Sequence, residues 1–295
     1  MLHKRIWLIK QCQALGRAYQ ATRNEAYARR AVLVLDRIAE VYTHYAVMSH
    51  GSMPLRHFKF APSQEPPYTW DAGRWGWHSP ADEVPVGVIE TYDMVYDSPV
   101  FATLSGERGY DVRARFERDF LADTFAALQA WPNHVNNYVG YLAGVVNMGR
   151  VIGDPGMVRW AFDWVRRNVY AGCFYDGMWH ESPSYHYMTI GGLRRCFASL
   201  RGYSDPPGYT DPADGSRFDD LDPEIVVPLW AKVPNAPKVL DFPDGSISAV
   251  HDTWGNTRTS EPRESSESTI LPGFGHLALG CGTGLNQVQA QLHFS

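Results

Sequence analysis

The hydrophobic residues of this chain repeat at a helical period for about the first two hundred positions and then switch to an alternating one. In the first run, from Ile6 to Met48, Leu8, Cys12, Leu15 and Tyr19 share one helix face. Ala28, Ala31, Val32, Leu35, Ile38, Ala39 and Tyr42 form a second stripe after the polar Thr22-Arg23-Asn24-Glu25. This is the pattern of a helical hairpin. Further helices are predicted over 85–96, 113–131, 132–152, 155–169 and 183–200, with a short one in 221–232. Gly153-Asp154-Pro155 reads as a helix stop followed directly by a new start. Past residue 238 the runs Thr269-Ile270-Leu271, His276-Leu277-Ala278-Leu279 and Gln287–Phe294 read as short strands. The expected fold is therefore mainly α over residues 1–238, with residues 239–295 opening a β-domain. Two or three strands are not stable alone. Either they dock on the helices or the chain is the front end of something longer.

With 295 residues and 44% hydrophobic content, the chain has enough apolar mass for a large core. A net charge of -5 gives no general attraction to nucleic acid or to an anionic membrane, although a locally basic groove could still accept an acidic polymer. Tyrosine and tryptophan are abundant, at 16 and 10. They fit a cleft in which rings stack on sugar C–H faces, and equally a core filled with aromatics. Cys12, Cys173, Cys196 and Cys281 match no zinc or redox spacing and read as buried thiols. No apolar run is long enough to cross a membrane. Met1-Leu2-His3-Lys4-Arg5 leads straight into an amphipathic helix without a signal peptide, which points to a cytoplasmic chain or one that has lost its leader.

Chemistry concentrates in three places. Residues 49–81 lack periodicity and carry Arg74, Trp75, Trp77 and His78, a set able to stack on sugars and pair with a carboxylate, or simply to pack together. In Trp131–Tyr141, Pro132 can open a helix on which Asn133, Asn136, Asn137, Gly140, Tyr141 and Gly144 share one polar, small-residue face. That face is either a ligand-facing wall or a helix contact made by amides; His134 sits at its edge. The third place is Phe174–Tyr187. Ser182 suits an N-cap and Pro183 the first helical position, which sets Tyr185 in the first turn of a helix. The unpaired N–H groups and positive dipole end there favour an anion, so a tyrosine in that turn is biased towards phenolate, the form that abstracts a proton.

Taken in order, Asn133-His134, then Asp176-Gly177-x-x-x-Glu181-Ser182-Pro183-x-Tyr185, then Pro243-Asp244-Gly245-Ser246 and Asp252-Thr253-Trp254-Gly255, resemble the heparinase II/III-like polysaccharide lyases, oligoalginate lyases among them. Glu90–Asp97 fits as well. The resemblance spans most of the chain, through short motifs. It implies an incomplete α/α toroid of helical hairpins followed by an antiparallel β-sandwich. It also implies β-elimination on a uronate-containing glycan. Tyr185 would be the base, the acid to the leaving oxygen, or both. Asn133 and His134 would neutralise the uronate carboxylate as enolate-like charge develops. Asn136, Asn137, Tyr141, Glu181, His186, the 74–78 set and His251 would contact substrate.

Family members are exported, which implies a periplasmic or secreted protein. Their sandwich is longer than the segment after residue 240 and often supplies a catalytic histidine and a structural metal. The chain therefore reads as a fragment truncated at its C-terminus. No cofactor is expected within it: His180-Glu181 and His186 lack the spacing that puts two ligands on one helix face.

Two other functions stay open. A glycoside hydrolase on a similar helical toroid would need two carboxylates across its cleft; Asp71, Asp176 and Glu181 are available, but no spacing pairs them. A non-catalytic glycan-binding module is the other.

Overall fold

The computed structural model describes residues 2–42, 44, 48–49, 72–73, 84–129, 134–240, 250–251 and 253. Over these the protein is mainly helical: α1 (Leu2–Thr22), α2 (Glu25–Tyr42), α3 (Val86–Val95), α4 (Val100–Arg108), α5 (Val112–Phe116), α6 (Asp123–Gln129), α7 (Leu142–Ile152), α8 (Pro155–Gly172), α9 (Pro183–Leu200) and α10 (Pro223–Val226). Sheet pairing among the described residues comprises Met48–Ser49 against Ala72–Gly73, antiparallel, and an isolated antiparallel bridge between Cys173 and Trp179. The strands expected at 269–271, 276–279 and 287–294 lie outside the described residues.

The chain forms two compact units. The first gathers Met1–His134, Tyr141–Asp163 and Gly202–Asp220. Its hairpin is the expected one. Asn24 links α1 to α2, its side chain accepting from Ala26 N–H at 3.0 Å, and all seven residues of the expected α2 stripe are buried. The α1 face that carries Cys12 and Tyr19 packs on α3. Glycines set the approach: a methyl on Gly87 would lie 2.6 Å from Ile9 Cγ2. Around Tyr92 the core is aromatic, with Phe116 at 4.8 Å and Phe101 edge-on at 5.7 Å; Phe120 meets Tyr42 at 5.0 Å. Part of the aromatic surplus is thus core, not cleft.

The expected helix over 113–131 is interrupted. Between α5 and α6 the chain widens into a π-turn, Glu117–Ala122. Helix α4 was not anticipated, yet its marks are in the sequence. Pro99 precedes it, and Gly109 ends it in the left-handed conformation at φ 75°. In the polar loop 202–220, whose tract 212–217 is exposed, Arg159 ties two carboxylates together. That guanidinium reaches Asp205 at 2.5 Å and Asp211 at 3.0 Å, with Asp205 buried.

The second unit comprises Val135–Gly140, Trp164–Arg201 and Leu221–Ser295. It holds the end of α8, then α9 and α10, and the 3-10 turn Val233–Val239. Helix α9 has the predicted bounds and start. The Ser182 side chain accepts from Tyr185 N–H, with Pro183 at the first position. Phe197 and Trp230 meet edge to face at 4.6 Å, joining α9 to the segment after α10.

Candidate functional site

The approach to α9 is a tight hairpin. Cys173 and Trp179 form an antiparallel bridge, Phe174 N–H donates to Met178 C=O at 2.8 Å, and Gly177 N–H donates to Phe174 C=O at 2.8 Å. Gly177 is required twice over. Its φ is +94°, and a methyl there would lie 2.8 Å from the backbone of Lys232 and Val233. The Trp179 ring lies across Gly172, where a methyl would sit 2.1 Å from the ring. The hairpin is locked to the helix by His186. Its Nε2 lies 2.8 Å from Val233 C=O, an acceptor, so Nε2 carries the proton. Nδ1 is then the acceptor for Trp179 N–H at 2.8 Å. His186 is fully buried, and burial lowers its pKa to about 4, which keeps it neutral. Expected to touch substrate, His186 instead commits both ring nitrogens to backbone.

Beside that strut, Glu181 gathers donors. Its Oε2 accepts from Asn137 Nδ2 at 2.9 Å and from Trp179 Nε1 at 3.2 Å. Tyr185 lies half-buried in the first turn, four residues after Glu181. Asn137 reaches this place by a route other than the predicted helix. The expected helix 132–152 begins only at Leu142, after a 3-10 turn over Val139–Tyr141. Asn136 explains the delay: its side chain accepts from Tyr138 N–H at 2.7 Å, an Asx turn that competes with helix. Its own N–H donates to the buried Asn168 side chain at 2.8 Å, and Asn168 donates to Trp164 C=O at 2.8 Å. The single polar face is therefore corrected to a turn, and Gly144 faces Val84, whose Cγ1 would lie 2.4 Å from a methyl in its place. The turn beds on α9 through paired glycines. A methyl on Gly192 would lie 2.7 Å from Gly140 N, and Cys196 Sγ approaches Val139 C=O at 3.5 Å.

In the other unit His134 and Tyr141 are buried together. His134 Nε2 donates to Leu128 C=O at 2.9 Å, so Nδ1 accepts from the Tyr141 hydroxyl. Trp160 stands edge-on to the imidazole at 4.9 Å. Burial lowers the His134 pKa to about 4, so the ring is neutral. Expected to give a substrate carboxylate its N–H, His134 has already given it to Leu128. Asn133, Arg74, Trp75, Trp77 and His78 lie outside the described residues. His251 is exposed, with φ +52°.

The structure thus joins Asn137 with Glu181 and ties His186 to the same hairpin. Sequence reasoning missed Trp179 and Asn168. Trp179 stood inside the motif, two residues before Glu181; Asn168 carried no signal, because only the fold brings it to Asn136. Among the described residues no group of three or more His, Cys, Asp or Glu could hold a metal ion, and no helix is long and apolar enough to cross a membrane. No protein-family model matches the chain, and no curated protein matches it.

Proposed function

We propose that this chain is a polysaccharide lyase of the heparinase II/III-like kind, cleaving a uronate-containing glycan by β-elimination. The observation that carries the reading is the start of α9: Ser182 caps the helix and sets the half-buried Tyr185 in its first turn. There the helix N-terminus favours the phenolate that would take the C5 proton, and the phenol formed would return a proton to the departing O4. The product carries a C4–C5 double bond. Charge on the C6 carboxylate has to be neutralised for this step. Asn137 suits the role, since its amide has a second N–H beyond the one given to Glu181. Asn133, next to His134 in sequence, is the other amide donor. Glu181 holds Asn137 in place. The chemistry needs no cofactor of its own.

The reading carries with it an incomplete α/α toroid, of which α1 and α2 form one hairpin, the first strands of an antiparallel β-sandwich over 239–295, an acidic poly- or oligosaccharide as partner, and export to the periplasm or beyond. The test is the near-ultraviolet absorbance of unsaturated uronates over alginate, heparan sulfate, chondroitin, hyaluronan and glucuronan. A rise on one of them is expected. Tyr185→Phe, which keeps the ring and removes the hydroxyl, should lower that rate by roughly 10²–10⁴-fold. Chain scission without a new double bond would replace elimination by hydrolysis, and an unchanged rate in Tyr185→Phe would remove the tyrosine from the mechanism.

A further inference from the structure

We propose that the tip of the Cys173–Trp179 hairpin is a saccharide subsite, where Phe174 and Tyr175 stack on sugar rings and Lys232 pairs with a uronate carboxylate. The inference rests on the acidic-glycan reading above and adds to it a place where the glycan is held away from the reacting bond. Tyr175 is 82% exposed, the highest value for a large hydrophobic side chain among the described residues, and its neighbour Phe174 is 54% exposed. Neither ring fills the core. Exposed rings on a mobile loop would need little explanation, but this tip is fixed. The bridge and the two backbone bonds close it, Gly177 beds it on the backbone of Lys232 and Val233, and His186 anchors its base. Two aromatic faces held out from a rigid turn lose little freedom when a flat ligand lands on them.

The charge at the tip selects the ligand. Lys232 Nζ donates to Tyr175 C=O at 3.0 Å, which brings the ammonium to the backbone of the tip and leaves two of its N–H bonds for an incoming anion. Asp176 is the acid within the turn, and one of its oxygens is engaged by Met178 N–H at 2.9 Å. Apolar faces next to a cation match a sugar that presents C–H groups on its ring and a carboxylate at its edge. A neutral glucan would meet the rings but not the lysine.

The test measures binding apart from turnover. The full chain carrying Tyr185→Phe is titrated with oligosaccharides of alginate, glucuronan, chondroitin, hyaluronan and heparan sulfate by calorimetry. Phe174→Ala or Tyr175→Ala added to that chain should each weaken binding by roughly 10-fold. Lys232→Ala should weaken it and flatten its dependence on salt. The circular dichroism of all three should match that of the parent, because the rings are exposed. Affinities equal to the parent's overturn the subsite, as does a parent that binds none of the saccharides. Unchanged tip variants beside a wild-type chain that forms unsaturated product would sink the subsite and leave the lyase standing. Weakened tip variants beside a wild-type chain that forms no such product would do the reverse.

Discussion

At the scale of single residues, the asparagines of this chain work through geometry that spacing did not reveal. Asn136 and Asn137 are neighbours in sequence but do different jobs. Asn136 turns the backbone, and Asn137 reaches Glu181. Asn136 is held by Asn168, which is fully buried and receives its N–H. Asn168→Ala would leave that N–H without its partner, at a cost of about 1–3 kcal/mol. The expected result is a lower denaturant midpoint with an unchanged slope, read by urea unfolding. An unchanged midpoint would mean that water replaces the amide at no cost. The titrating residues teach the same lesson. His134 and His186 attract notice for their chemistry, yet their neighbours spend their nitrogens: Tyr141 and Trp179 lie within the same motif stretches, whereas Leu128 and Val233 lie outside them and are brought in only by the fold.

At the scale of elements, local signals were the reliable ones. The bounds and capping of α9, the break at Gly153 with φ +72°, and the α1–α2 hairpin could all be read because each depends on residues within a few positions of one another. Helix α4 carried the same kinds of signal, Pro before and Gly after, and was legible in principle. The failure was the helix over 132–152. An i, i+3, i+4 pattern of small and polar residues fits a helix face, but Asn136 offers its backbone a competing turn and α9 offers that turn a glycine bed. Gly192 makes that bed possible: a methyl would meet Gly140 N at 2.7 Å, backbone against backbone, with no flexible side chain to yield. Gly192→Ala should therefore destabilise the fold by about 1–3 kcal/mol, despite alanine's better helix propensity. Gly191→Ala is the control, since a methyl there would have no neighbour within 4 Å. It should be neutral or slightly stabilising. Equal thermal midpoints for the two variants would contradict the packing described.

At the scale of the whole molecule, the buried histidines set an acid limit. Both have folded-state pKa values lowered from 6.5 to about 4 by burial, so the folded protein excludes protons that the unfolded chain would bind. Their contribution is fully present above pH 6.5 and is lost as the pH falls from there towards 4, by up to about 1.4 kcal/mol per pH unit for each ring. Unfolding free energies measured from pH 7.5 down to 4.5 should fall along that slope; a flat profile would mean that the rings are protonated in place. Cys12 and Cys173 belong to the same picture. Burial pushes their thiols up to about 11 and about 12, and both should resist thiol reagents until the chain unfolds.

The two units are also interleaved along the chain: each takes up three separate stretches, and the segment Val135–Gly140 of one is flanked on both sides by the other. For heredity this is a constraint. A recombination joint or deletion ending anywhere between 135 and 220 splits both units at once, so neither can be lent to another gene as a cassette.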